Sequence, residues 1–338
     1  MHDSKSAVWE ADMAYKILVT VPFTEEQKAV FREAAVGFQD EIIFTHAPKE
    51  IEEQMKSADA VIGNVSTDVL SRATKLKWLQ LNSSGADKYV KPGILPEGAL
   101  LTSATGSYGT ALSEYMVCML LVMMKKIPLY MNNQKEGRWK DEGSVTTPAG
   151  KRILIVGTGD IGLSFARRIR AFALPDAPIT LVGVRRRAGV CPEELDEIHP
   201  ISALKGEAAR ADVIAVSLPG TEETYHLFDK NMLLACKKGS FLINVGRGSV
   251  IENNALKDPE VYTHFSGMYF DVFEKEPLPD NDLLYHIPGL YVTPHICGDF
   301  HLDLTLQNIA DIALHNYKAF HGEGEYRSVI DMSTGYAG

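Results

Sequence analysis

Short runs of consecutive apolar residues alternate with stretches of helical period along most of the chain. Residues 16–21 (KILVTV), 41–45, 60–63 and 78–81 read as strands buried on both faces, and 25–35 reads as a helix ended by Gly37. A second series begins at Arg152, with strand candidates at 153–156, 179–182, 213–217, 241–244, 267–270 and 290–293 and helical stretches between most of them. Such alternation is the pattern of a parallel sheet covered by helices, so two series predict two α/β units. Between them a loop rich in Gly, Ser and Thr (102–110) leads into a strongly apolar helix over 111–127, closed by Pro128. A helix near 301–320 follows the last strand, and another short apolar run lies within 325–332. The second unit has no strand left to pair with this tail. The chain is therefore expected to cross back, giving a discontinuous domain of 1–109 plus 300–338 and an inserted domain of 110–299.

Composition narrows the class without changing this picture. At roughly 100 to 200 residues per domain, 338 residues suit two domains. With 45% hydrophobic and 23% charged residues the chain belongs with folded globular proteins rather than disordered ones. A net charge of −10 argues against a nucleic-acid partner held by phosphate neutralisation, while leaving room for a local basic site. Cys118, Cys191, Cys236 and Cys297 lie far apart with no C-x-x-C pair, and the histidines lack metal spacing, so no metal is expected. The cysteine usage suits a reducing compartment. Residues 1–15 lack the apolar core of a signal peptide, and the longest apolar run, 115–124, is ten residues against the roughly 20 that span a bilayer. A cytoplasmic protein with no membrane contact is the expectation.

The most informative motif is Gly157-Thr158-Gly159-Asp160-Ile161-Gly162, after a strand and before a helix over 163–172. The first glycine permits a tight turn, the second lets a pyrophosphate approach the backbone, and the third allows helix and strand to pack closely. The helix N-terminus then offers free N–H groups and a partial positive charge to the phosphates. At the end of the next strand, where an acid would bond the ribose of NAD, the chain reads Val184-Arg185-Arg186-Arg187. Guanidinium groups suit an adenosine 2′-phosphate, which favours NADP(H) and leaves NAD(H) possible.

Three polar segments end later strands: 244–249 (NVGRGS), 271–277 (DVFEKEP) and 293–298 (TPHICG). An Arg between two glycines has room around its fork. A His beside a carboxylate stays protonated near neutrality and can give a proton to a carbonyl oxygen as hydride arrives. Arg247 can clamp a substrate carboxylate, and either Glu274 or Glu276 can serve His295. Together the parts fit reduction of a 2-keto acid.

From Lys16 to about Asp331 the chain resembles the D-isomer-specific 2-hydroxyacid dehydrogenases. The resemblance rests on 76–80 (LKWLQ), 83–87 (SSGAD), Gly150 with the glycine turn, 217–219 (SLP) with Thr221 and Thr224, and the three strand-end segments. It implies two Rossmann-like doubly wound parallel-sheet domains, the nucleotide-binding one inserted into a flavodoxin-like substrate domain, with the active site in the cleft between them. Arg247 would orient the substrate, His295 would be the acid/base and Glu276, by its pairing with Pro277, would tune it. Asp271 would contact the nicotinamide carboxamide. Gly157, Gly159, Asp160, Ile161, Gly162, Arg185, Arg186, Leu218, Pro219, Val245 and Gly298 would also hold the cofactor. The backbone at Ser84 and Gly85 would receive the substrate carboxylate, with Asn64, Val65 and Tyr108 near the pocket. The basic residues after the second strand point within the family toward glyoxylate or hydroxypyruvate as substrate. The resemblance also implies a homodimer built on the apolar helix and the stretch to Pro148, to which Tyr130 and Trp139 add aromatic surface. Two alternatives share the scaffold: a formate or phosphite dehydrogenase, which needs no base for a substrate hydroxyl, and a non-catalytic nucleotide-sensing protein.

Overall fold

The computed structural model describes residues 14–337 and divides the chain into two compact units, 1–107 with 300–338, and 108–299. The expected boundary at 109/110 lies just inside the helix Gly109–Met124, which belongs wholly to the second unit.

The first unit is a five-stranded parallel sheet of β1 (Lys16–Val19), β2 (Glu41–Phe44), β3 (Ala60–Ile62), β4 (Trp78–Gln80) and β5 (Leu100–Thr102), in the order β2-β1-β3-β4-β5. This is the flavodoxin-like order, and its central strands are apolar throughout because both faces are covered. Leu18, Val61, Leu79 and Leu101 face Met55, Leu70 and Ile330 on one side. On the other, Trp78 stacks on Phe320 and Phe31 on Tyr317, which brings together the helices Glu25–Phe38 and Asp303–Phe320. The first helix does not end at Gly37. It starts on a capping box between Thr24 and Gln27, runs through Gly37, and stops at left-handed Gln39. The adjacent Asp40 carboxylate accepts from the Tyr15 N–H at 2.7 Å, the Tyr317 hydroxyl at 2.6 Å and His321 Nε2 at 2.7 Å. The turn is thereby held by the far end of the chain.

β5 has no counterpart among the apolar runs, being three residues long and ending where the loop read over 102–110 begins. Its place is secured by polar groups: Thr102 Oγ1 accepts from Trp78 Nε1 at 2.9 Å and donates to Gln80 Oε1 at 2.7 Å, which also accepts from Asn316 Nδ2 at 2.6 Å. Asn316 further bonds both the N–H and the carbonyl of Arg327, and the Ser103 N–H donates to the Ser328 carbonyl at 3.0 Å. The tail thus returns to the first unit, ending in a small antiparallel pair, Ile330–Asp331 with Tyr336–Ala337.

The second unit is a seven-stranded parallel sheet: β6 (Arg152–Val156), β7 (Thr180–Arg185), β8 (Glu197–Pro200), β9 (Val213–Val216), β10 (Phe241–Asn244), β11 (Gly267–Phe270) and β12 (Leu290–Val292), ordered β12-β11-β10-β9-β6-β7-β8. Numbered within the unit this is the Rossmann order, with the reversal between β6 and β9. The polar edge strand β8 reads EIHP and carried no apolar signal. It is held by Arg152, whose guanidinium reaches Glu197 at 2.8 and 2.7 Å and Glu207 at 2.7 Å. Glu197, His199 and Glu207 bring possible ligand atoms within 4.8 Å of one another, but Arg152 already fills the space between the two carboxylates with positive charge. The apolar helix ends at Met124, not at Pro128. Left-handed Lys126 breaks the chain, and Pro128 sits in the first turn of the next helix, Ile127–Lys135, where its missing N–H costs nothing. Among the described residues no helix is long and apolar enough to cross a membrane, and the four cysteines are unpaired.

Candidate active site

The turn after β6 has the shape its glycines suggested. Gly157 adopts φ 101°, and a side chain there would press on the Ser217 carbonyl at 3.0 Å. At Gly162 a Cβ would overlap the Gly157 carbonyl and stand 2.9 Å from Ile155, so this glycine sets how closely helix Asp160–Arg170 lies on the strand. Gly159 differs: nothing lies within 4 Å of where its Cβ would be. The open side of the turn, the helix N–H groups of Asp160 and Ile161, and the buried, unpartnered hydroxyl of Thr158 together fit a pyrophosphate. The Asp160 side chain is occupied elsewhere. Burial raises its pKa, against hydrogen bonds from the Gly109 N–H and the Ser164 hydroxyl. Its backbone is what it can offer a phosphate.

At the end of β7 the three arginines divide. Arg185 spends its guanidinium on its own turn, donating from Nε to the Ala188 carbonyl at 2.6 Å and from Nη2 to the Val190 carbonyl at 2.9 Å. Two of its guanidinium nitrogens are thus engaged in shaping that turn, and a role for Arg185 toward a 2′-phosphate stays a proposal. Arg186 and Arg187 are exposed on the turn that Arg185 shapes.

The turn carrying Arg247 is braced by Asn244, whose Oδ1 accepts from the Gly246 N–H at 3.2 Å and whose Nδ2 donates to the Arg247 carbonyl at 3.2 Å. The flanking glycines are needed for close backbone approach rather than for room around the guanidinium. A Cβ on Gly246 would be 2.7 Å from Leu218 N, and one on Gly248 would overlap the Phe273 carbonyl. The turn is thus wedged between residues 217–219 and 273–274. Leu218 and Pro219 are fixed in turn by Thr224, which donates to the Pro219 carbonyl at 2.7 Å. Val245 is buried, and Gly298 lies against Leu112 and Tyr108.

His295 Nδ1 lies 2.7 Å from Glu276 Oε2, while Glu276 Oε1 accepts from the Phe273 N–H at 2.9 Å. Glu274, the rival on sequence, turns instead to the Asn253 N–H at 2.6 Å and to His226 at 3.3 Å. An ionised carboxylate on Nδ1 requires that nitrogen to carry a hydrogen, which leaves Nε2 to address a substrate. The hydrogen bond to Glu276 raises the His295 pKa, burial opposes it, the charges of Glu276 and Asp271 raise it further, and Arg247 lowers it. For Glu276, burial pushes upward, but the bonds from His295 and Phe273 and the charges of His295 and Arg247 win and hold it below the usual carboxylate value. His295 is half exposed, and its backbone is left-handed at φ 54°. That conformation is kept by Asp271: its carbonyl accepts from the His295 N–H at 2.9 Å, and its buried carboxylate accepts from Thr293 Oγ1 at 2.5 Å, Ile296 N at 3.0 Å and Cys297 N at 3.2 Å. The segment 293–298 stands out in the sequence with Thr293 in it, but Tyr269, whose hydroxyl lies 2.7 Å from Thr293 Oγ1, does not. The available signal was a tyrosine inside a buried strand, whose hydroxyl must find a partner.

In the first unit, Ser84 and Gly85 follow β4. The Ser83 hydroxyl donates to the Gly85 carbonyl at 2.9 Å, and Asn64 and Asn82 exchange bonds from backbone N–H to side-chain oxygen at 2.6 and 3.2 Å. This clasp joins the ends of β3 and β4, beside the point where the strand order reverses.

Comparison with known proteins gives a consistent picture. Residues 117–297 match the family model described as D-isomer specific 2-hydroxyacid dehydrogenase, NAD binding domain. A glyoxylate reductase of Thermofilum pendens is 29% identical over 259 residues, covering 74% of this chain and 75% of the relative. A D-3-phosphoglycerate dehydrogenase of Mycobacterium tuberculosis is 32% identical over 271 residues, 78% of this chain but 50% of the relative. The crystal structure of a D-isomer specific 2-hydroxyacid dehydrogenase family protein from Aeromonas salmonicida is similar with a TM-score of 0.83 and 28% identity, covering 95% of this chain and all of that one.

The His295–Glu276 contact predicts a titration. Glu276→Gln removes the largest cause of the raised histidine pKa, so the midpoint of His295, followed by NMR and assigned by its loss in His295→Ala, moves to lower pH. Glu274→Gln leaves it in place. A midpoint unmoved in Glu276→Gln would show that the pair does not set the charge of the histidine.

Proposed function

Because the chain belongs to the D-isomer specific 2-hydroxyacid dehydrogenase family, we propose that it reduces a small 2-keto acid, glyoxylate or hydroxypyruvate foremost, to the D-2-hydroxy acid with NADPH as the preferred reductant. The enzyme is an NAD(P)-dependent oxidoreductase of this family. The observation that carries the finer reading is the 2.7 Å contact of His295 with Glu276, with the charge of Arg247 acting on both. A nicotinamide cofactor held at the glycine turn would supply the hydride for the carbonyl carbon. His295 then gives its Nε2 proton to the carbonyl oxygen, and the neutral imidazole regains a proton from solvent. Arg247 pairs with the substrate carboxylate and polarises the carbonyl, and the backbone N–H groups of Ser84 and Gly85 are the proposed further receptors of that carboxylate. Asp271 keeps the proposed contact with the nicotinamide carboxamide only through lone pairs its three loop donors leave unused.

The NADPH preference is supported by the absence of an acid at the end of β7 and by the exposed Arg186 and Arg187 there. Two relatives with different names, a glyoxylate reductase and a phosphoglycerate dehydrogenase, are nearly equally similar, so the substrate rests on assay. The proposal includes a homodimer. Ile127, Leu129, Met131, Trp139 and Val145 are exposed apolar residues crowded into one stretch of the second unit, an apolar concentration of the kind that interfaces cover.

A panel of 2-keto acids with both cofactors tests the reading: absorbance of NADPH should fall with glyoxylate or hydroxypyruvate, and kcat/KM should be higher with NADPH than with NADH. His295→Ala should lower turnover about 10²- to 10⁴-fold with cofactor affinity kept. Since the raised pKa keeps His295 protonated, reduction should be flat at low pH and decline as pH rises through that pKa, with oxidation showing the opposite limb. No turnover across the panel would favour a nucleotide sensor. Arg186→Ala combined with Arg187→Ala should raise KM for NADPH roughly tenfold or more while leaving KM for NADH alone; equal effects on both cofactors would discard the 2′-phosphate role. In sedimentation, a dimer mass that falls to monomer in Trp139→Asp with Met131→Asp is expected, and a wild-type monomer in dilute solution would exclude the dimer.

A further inference from the structure

Behind the histidine lies a buried polar chain that the reaction as described does not use. Tyr269 is fully buried on β11, on the face of the strand where Gly267 meets Met123 of the helix Gly109–Met124. Its hydroxyl lies 2.7 Å from Thr293 Oγ1 and 2.9 Å from Cys297 Sγ. The polarity of the chain follows from counting hydrogens. Thr293 has one hydroxyl hydrogen and gives it to the Asp271 carboxylate at 2.5 Å, so the Tyr269 O–H must donate to Thr293. The Cys297 thiol then has only acceptors around it, the tyrosine oxygen and Asp271. Burial pushes the Cys297 thiol up to about 12 and raises the Tyr269 phenol as well, so neither ionises and the chain serves as aligned dipoles rather than as a source of protons.

All three partners frame the turn that bears His295. Thr293 precedes it by two residues, Cys297 follows it by two, and Asp271 bonds its backbone. A non-glycine residue at φ 54° is held against a steric cost, so the turn relaxes unless its surroundings fix it. We propose that Tyr269 is a positioning residue for His295: by donating to Thr293 it aligns the Thr293–Asp271 bond and locks the 293–297 turn in the arrangement that presents His295 to Glu276. Successive hydrogen bonds of one polarity strengthen each other, and the last of these ends on a charged acceptor. The charged groups facing His295 are Glu276 from the segment after β11, Asp271 from the end of β11 and Arg247 from the turn after β10. Two of the three raise its pKa, and the geometry of both depends on this turn. The inference rests on the reading of His295 as the acid/base.

The test is Tyr269→Phe, which removes one oxygen and keeps the ring. Two readouts are taken: the His295 midpoint by NMR, which needs no substrate, and the pH profile of kcat with NADPH and glyoxylate. The expected result is a midpoint lower by about half a pH unit, the size that loosening one hydrogen bond gives, with the descending limb of kcat moved equally. At pH above the midpoint kcat falls roughly threefold, the factor that half a pH unit gives and well short of losing the acid outright, while KM for NADPH stays within about twofold. Thr293→Ser, which keeps the hydroxyl, should match wild type, and Thr293→Val should reproduce Tyr269→Phe, including where the latter does not fold. An unmoved midpoint in Tyr269→Phe or, failing its folding, in Thr293→Val overturns the proposal, even if kcat falls. Full activity of His295→Ala would instead sink the underlying reading, and the two failures are separable because the midpoint is read without turnover.

Discussion

A parallel sheet sends the carboxyl end of every strand to the same edge, and the chemistry of this chain depends on that constraint. Gly157, Arg247, Asp271 and His295 are spread over well more than a hundred residues of sequence. They come from the ends of β6, β10, β11 and beyond β12, and the register of the sheet alone puts those ends in a row. The glycines then close the remaining distance. At Gly246 and Gly248 backbone meets backbone where a methyl group would not fit, which draws the arginine turn against the segment bearing Glu276. Packing of main chain, more than attraction between charges, assembles the group.

Electrostatics then decides the protonation state. His295 and Glu276 are both partly exposed, so the Coulomb energy between them is screened, and the direct hydrogen bond leads the shift of the histidine. Asp271 is in the opposite situation. It is buried, and a lone carboxylate there would be costly, but three donors from one turn surround it. The exposed pair can exchange protons with its surroundings, while the buried carboxylate organises the turn that bears the histidine. Division of labour between two acids five residues apart follows from burial.

Much of this was legible in sequence because the signals were local. Apolar runs marked ten of the twelve strands in the two parallel sheets, and the glycine spacing marked the turn after β6. β5 and β8 escaped because their placement depends on side-chain bonds to distant residues, Asn316 and Arg152, that no local window contains. Gly37 and Pro128 misled for a related reason: each is a helix breaker by propensity, yet the first helix is ended by Gln39 with Asp40 anchored to Tyr317, and Pro128 begins a helix rather than ending one. At the site, residue types announced Arg247, Glu276 and His295. Residue types alone left Glu274 level with Glu276, and only the family's Glu-Pro pairing separated them; Glu276 is the one bonded to His295, while the commitment of Arg185 to its own turn needed coordinates, since it hinges on the direction of one side chain.

The return of the chain to its first unit bears on the order in which the molecule can fold during synthesis. Every strand of the 108–299 unit is complete before the helix Asp303–Phe320 has been made. The first unit, although its five strands emerge earliest, lacks Asn316, Tyr317 and Phe320, which complete the surroundings of Gln80, Asp40 and Trp78, until that last helix appears. Domains ordinarily fold in the order they leave the ribosome. Here the order is inverted: the inserted unit can close on itself while the earlier sheet waits for one face to be completed by a helix synthesised after it.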